Sequence, residues 1–230
     1  MKRLILLVTA LVLIAGCARD GYAVYTGTES GFLENGVFTS DLNVKMTVVG
    51  NTRKYDVQTP RRVLISYETK PVTTESAGFE IDLLGLMPSI IREPSHADAL
   101  DDQASGAPVS VSNAWFSGGY LNLLFSLEGK DADKHPYTVL YTVDDKERIV
   151  FRLLHDDQET HSPDSDEKMN TFLSIPMAEA VQLWEHTLQA EGKKASFPVS
   201  VLVQWTDHVM DSGPLNLFEK PGSYTPASGF

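Results

Sequence analysis

Cysteine is all but absent. Cys17 is the only one in 230 residues, so the chain cannot close a disulfide on itself and hydrophobic burial must hold its fold. Basic residues are also scarce. Nineteen Lys and Arg stand against 31 Asp and Glu, a formal net charge of −12. That balance excludes nucleic acid as a partner class, because phosphate binding runs on clustered cations. It argues equally against loose adsorption to anionic lipid. No Gly-x-Ser-x-Gly elbow is present, and no His pair at i, i+4 or second cysteine is available for zinc. Internal repeats and heptads are missing too. The sequence therefore points to a non-enzymatic protein with no cofactor.

What is present begins at the N-terminus. Lys2 and Arg3 precede an apolar run, Leu4 to Ile14. That run is shorter than the roughly 20 residues a membrane-crossing helix needs, so residues 1–17 read as a secretory signal. It closes on Leu13-Ile14-Ala15-Gly16-Cys17, which resembles the bacterial lipobox, whose cysteine is acylated and becomes the new N-terminus. An ordinary leader with an incidental cysteine is the alternative. Lipidation of Cys17 implies a lipid bilayer as partner and the cell envelope of a Gram-negative bacterium as location. No aspartate follows the cysteine, which favours the outer membrane, with the face left open. Residues 18–35 are small and polar and read as a tether.

The body alternates with the period of strands. Leu42, Val44, Met46 and Val48 predict one strand, and Tyr55 and Val57 another on the return from Gly50-Asn51. Val63 to Tyr67 and Phe79 to Leu83 predict two more. Leu86 to Ile91 reads as a fifth strand or a helical turn. Five short strands suggest a small OB-like β-barrel over residues 36–104. The proline- and aspartate-containing stretch from Arg92 to Ala107 reads as a linker. Residues 105–230 read as an antiparallel β-sandwich: Val109 to Phe125, Tyr137 to Val143, Ile149 to Leu153, Met169 to Ile175 and Phe197 to Trp205 all carry strand alternation. Gly118-Gly119 predicts a bulge or kink, which leaves the face of Trp115 open. Met177, Ala180, Val181, Trp184 and Leu188 form an apolar stripe that predicts one α-helix near 177–190, stopped by Gly192. From Asp211 the chain is expected to be mostly irregular. The fold class is all-β, with one inserted helix.

Arg62-Val63-Leu64-Ile65-Ser66-Tyr67, Pro108-Val109-Ser110-Val111, Trp115 to Phe125 with Tyr120-Leu121-Asn122, and Phe151 to Asp157 occur in that order. Together they resemble the NigD-like lipoproteins. The resemblance implies an N-terminal OB-type barrel and a C-terminal β-sandwich behind a lipobox, and it implies no enzyme activity. The helix near 177–190 departs from that pattern. The family's name points to a bacteriocin-associated role, hence an immunity or export accessory protein as one reading.

Three aromatics are candidate binding residues. Trp115, Tyr120 and Trp205 have the surface to stack on a sugar, against the plainer reading that they fill a sandwich core. The acidic loop after Phe151 holds calcium candidates in Asp156, Asp157, Asp164 and Asp166, although its spacing is not that of an EF-hand. Clustered loop carboxylates are otherwise simply solvated. Asp101-Asp102 would serve a cryptic hydrolase only at a separation that sequence cannot show. The leading expectation is a non-catalytic envelope lipoprotein binding an unknown protein or glycan ligand.

Overall fold

The computed structural model describes residues 24–71, 78–100, 109–128, 137–155, 168–207 and 216–226. The N-terminal unit is a closed five-stranded barrel. Strands β1 (Thr26–Glu34), β2 (Val37–Ser40) and β3 (Lys45–Gly50) form a meander, and β4 (Arg61–Thr69) pairs antiparallel with β1. The barrel closes through the first part of β5 (Phe79–Ile91), which runs antiparallel to β4 and parallel to β3. Leu33, Phe38, Met46, Val63, Ile65, Tyr67, Ile81 and Leu83 fill it.

Two expectations change here. The tether placed at 18–35 contains β1, which is paired along both its neighbours and cannot act as a free spacer. The strand expected at Tyr55–Val57 is a loop. Its alternation is real as packing, since both side chains lie against the barrel core. Its backbone, however, is held by the Asn51 side chain, which donates to Tyr55 O at 2.7 Å and accepts from Tyr55 N at 2.9 Å.

Strand β5 is thirteen residues long and joins the two units. Leu86 to Ile91 is its continuation, and Ser89–Ile91 pair parallel with β11 (Lys168–Pro176). Barrel and sandwich thus share one eight-stranded sheet, ordered β3-β2-β1-β4-β5-β11-β8-β7, with β7 at Ser110–Ser117 and β8 at Tyr120–Glu128. The chain therefore enters the sandwich before the expected linker. Arg92 N donates to Ser174 O at 3.1 Å, and β6 (Ser95–His96) already pairs with β9 (Tyr137–Val143).

The facing sheet is ordered β13-β12-β10-β9-β6, with β10 at Ile149–His155, β12 at Val199–Asp207 and β13 at Asn216–Tyr224. It is mixed, not purely antiparallel: β10–β12 and β6–β9 run parallel. Strand β13 lies where irregular chain was expected. Leu121, Leu123, Phe125, Ile149, Phe151, Leu173, Val201 and Trp205 are among the residues of the core between the sheets.

Helix α1 (Ala178–Ala190) covers β9 and β10 with the expected stripe of Ala180, Val181, Trp184 and Leu188. Met177 N donates to Gly119 O at 3.0 Å, which ties the start of the helix to the β7–β8 turn. At the other end Gly192, with φ +72, stops it.

Candidate functional site

The two glycines that looked like a kink are the turn of the β7–β8 hairpin. Gly118 and Gly119 have φ of +57 and +80, and positive φ at both central residues suits the tight turns whose twist matches paired strands. The irregularity lies earlier, between Val111 and Asn113. Val111 pairs with Phe125 but Asn113 pairs with Leu124, so Ser112 is the extra residue of a bulge, its hydroxyl donating to Leu124 O at 2.9 Å. This single residue decides which way β7 faces. Val111 before the bulge packs on the sandwich core, as do Ala114 and Phe116 after it. Asn113 and Trp115 are thereby turned to the opposite face, towards the barrel. Without the bulge, Trp115 would share the face of Val111.

Trp115 leans across the junction of the two units. Its ring stacks on buried Phe172 of β11, centroids 5.7 Å apart and planes 3° from parallel, and its Nε1–H donates to Ser30 Oγ of β1 at 3.4 Å. Beside it is a knot of buried polar groups drawn from six strands and a turn. Arg62 of β4 grips Asp41, in the β2–β3 turn, with two hydrogen bonds of 2.7 Å. Its Nε donates to Ser174 Oγ of β11 at 2.9 Å and its Nη2 to Asn122 Oδ1 of β8 at 3.0 Å. Ser89 of β5 donates to Ser174 at 2.7 Å, and Ser174 donates to Asn122 Oδ1 at 2.9 Å. Asn122 Nδ2 in turn donates to Ser117 Oγ at 2.9 Å. Ser30 and Ser117 donate to the second oxygen of Asp41, at 2.7 and 2.6 Å.

Both charged side chains are buried, with 5% and 8% of their surfaces exposed. Burial pushes the Asp41 carboxyl up. The hydrogen bonds from Arg62, Ser117 and Ser30, with the charge of Arg62, outweigh it and hold the group below its ordinary value. The Asp41 carboxylate is therefore favoured in its ionised form, matched to the guanidinium.

A cavity of about 510 Å³ opens next to the knot, within the range of about 300–1,000 Å³ usual for small-ligand sites. Trp115 and Leu124 wall it on the sandwich side and Leu64 and Leu42 on the barrel side. Thr28, Ser30, Asn113 and Ser117 supply hydroxyls and an amide. Leu42 is 82% exposed at its mouth.

The candidates from the sequence separate clearly. Trp115 lines the cavity. Tyr120 stands half-buried with its ring 4.1 Å from Arg62 Cζ, so that face is occupied by the guanidinium. Trp205 lies in the sandwich core. Cys17 and the calcium candidates Asp156, Asp157, Asp164 and Asp166 fall outside the described residues, as do Asp101 and Asp102. Among the described residues no three His, Cys, Asp or Glu side chains are grouped to hold a metal. Asp41, Ser30, Asn113 and Ser174 were not singled out from the sequence. Arg62 and Asn122 were noticed only as part of the family pattern, and their one signal is polarity inside otherwise apolar strands.

Residues 92–186 match the family model of the NigD-like C-terminal beta sandwich domain. Across nearly the whole chain the fold is similar to that of a NigD-like immunity protein from Bacteroides caccae. That protein is 19% identical with a TM-score of 0.61, over 90% of this chain and 100% of that one. A protein of unknown function from Bacteroides vulgatus is 14% identical with a TM-score of 0.59, over 90% and 93%. A candidate lipoprotein from Bacteroides fragilis is 11% identical with a TM-score of 0.58, over 90% and 100%. At these identities the likeness is one of fold. No curated protein matches the chain.

Proposed function

With residues 92–186 forming a NigD-like C-terminal β-sandwich domain, we propose that the protein is a non-catalytic lipoprotein of the cell envelope that binds a ligand in the cleft between barrel and sandwich. One observation carries this reading: the Trp115-walled cavity sits on a junction braced by a fully matched buried ion pair. Such a brace fixes the positions of its walls before any ligand arrives, and preorganised walls lower the entropy cost of binding. The charged pair beside the cavity, Asp41 and Arg62, is matched to itself. In a thermal-shift screen of the purified protein, a ligand of the cleft raises the melting temperature of the wild type and leaves Trp115→Ala unshifted. A ligand that shifts both equally would place binding elsewhere.

Acylation of Cys17 and outer-membrane anchoring belong to the same proposal. The Leu13 to Cys17 motif supports it, and the B. fragilis neighbour carries a lipoprotein description. Each buried methylene contributes about 0.8 kcal/mol, so more than one acyl chain is needed for stable attachment. Cys17→Ala is expected to move the protein from the detergent phase to the aqueous phase on phase partitioning. Unchanged partitioning would exclude the anchor.

The name of the B. caccae neighbour favours a second reading, an immunity protein. Unaltered toxin sensitivity of a deletion strain would exclude it.

A further inference from the structure

Resting on the cleft as the binding site, we propose that its ligand is a neutral saccharide. The cleft offers an aromatic wall, short hydroxyl and amide groups and the Glu29 carboxylate, but among the described residues no cation lines it. Arg62, the buried cation beside it, is engaged by Asp41, Asn122, Ser174 and the ring of Tyr120. An anionic ligand would find no counter-charge, and would meet the field of an acidic chain with net charge −12. A cationic ligand would find a single further carboxylate, Glu29, because Asp41 is already neutralised by Arg62. Glu29 also accepts the Tyr67 hydroxyl at 2.7 Å, and its remaining lone pairs suit the hydroxyls of a sugar.

The Trp115 indole is held for stacking. Phe172 backs it in parallel, and its only donor is directed to Ser30. What it offers a ligand is its π surface, which suits the C–H face of a sugar ring. Around the ring's rim a saccharide carries hydroxyls, each able to donate and accept. Thr28 and Asn113 present matching groups from opposite sides of the cleft, and both are exposed. The bulge at Ser112 is what sets Asn113 and Trp115 on this face together. Bulges on edge strands commonly re-aim side chains at sites of this kind. Apolar wall, hydroxyl and amide groups, and a carboxylate able to accept from hydroxyls all suit the same ligand class.

The test is a titration of the detergent-solubilised full-length protein with uncharged cellohexaose, maltohexaose and mannohexaose. Hexalysine and hexagalacturonate serve as charged probes. At least one neutral oligosaccharide should bind, with a change in tryptophan fluorescence. Trp115→Ala should weaken it by at least about tenfold. Asn113 is exposed, so Asn113→Ala should weaken binding without altering the melting temperature and separates recognition from folding. Binding by none of the three neutral sugars overturns the saccharide assignment, as does binding that survives both substitutions. Trp115-dependent binding of hexalysine or hexagalacturonate alone also overturns it, while leaving the cleft as a binding site intact.

Discussion

Arg62→Ala should destabilise the protein by about 3–5 kcal/mol, the usual result of removing one partner from a buried ion pair. The loss comes mainly from what remains. Asp41 would stay buried with its carboxylate facing Ser30 and Ser117 but no cation, and Asn122 and Ser174 would lose a shared donor. Arg62→Lys should recover only part of this, because an ammonium cannot reproduce the two-pronged grip on Asp41 while also reaching Ser174 and Asn122. The double variant Asp41→Asn, Arg62→Met should be more stable than Arg62→Ala, since it leaves no isolated charge. Urea denaturation of the four proteins measures all of these. A loss under 1 kcal/mol for Arg62→Ala would show that water already reaches the pair.

The same pair sets an acid limit. A carboxyl whose folded pKa is held below its ordinary value of 3.8 contributes stability above that value and loses it as pH falls through the folded pKa. Wild type should therefore lose stability on acidification below about pH 4 more steeply than Asp41→Asn. Parallel curves would remove Asp41 as a source of acid sensitivity.

Gly118→Ala is expected to cost about 2–4 kcal/mol. With φ of +57 the position strains any side chain by about 1–2 kcal/mol, and a Cβ there would also collide with the Asp41 carboxylate. That carboxylate cannot step aside without leaving Arg62, and hydrogen bonds to charged groups contribute about 1.5–3 kcal/mol each. Gly119→Ala provides the control. It has φ of +80 but open space around the new methyl, so only the strain applies. Similar losses for the two variants would mean that the turn does not press on Asp41.

The contrast between these neighbouring glycines shows what a sequence can and cannot reveal. Strands β4, β8 and β9 and helix α1 were legible because each buries mainly one face, and a one-sided burial writes its period into the residues. Strands β10 and β12, buried on both faces, still alternate large apolar side chains towards the core. Strand β1 was not. Gly27 and Gly31 break its apolar pattern because the ring of Tyr67 and that of Phe38 lie where side chains would be. Strand β13 was hidden by Pro221, tolerable in an edge strand, and by Gly222, where a side chain would collide with the ring of Phe116 across the sandwich. The bulge at Ser112 left no mark, since an inserted serine looks like any solvent-facing one. Trp115 could not be assigned a face without it. The Asp41–Arg62 pair joins residues 21 apart through a turn and a strand of the barrel, then reaches β8 and β11 of the sandwich. No local period encodes such a contact. The glycine-centred stretch from Trp115 to Phe125 was rightly conspicuous, but as a hairpin that carries one residue of the cleft at one end and core strand at the other.

The most direct test of the cleft is a nuclear magnetic resonance titration of the ¹⁵N-labelled protein with the neutral oligosaccharide panel, read at the indole N–H signals of its three tryptophans. Trp184 and Trp205 are buried and serve as internal controls. Binding in the cleft shifts the Trp115 signal, together with the amides of Thr28, Asn113 and Ser117, and leaves the other two indoles still. A Trp115 signal that stays fixed while another surface responds, or at saturating sugar with no response anywhere, would contradict it.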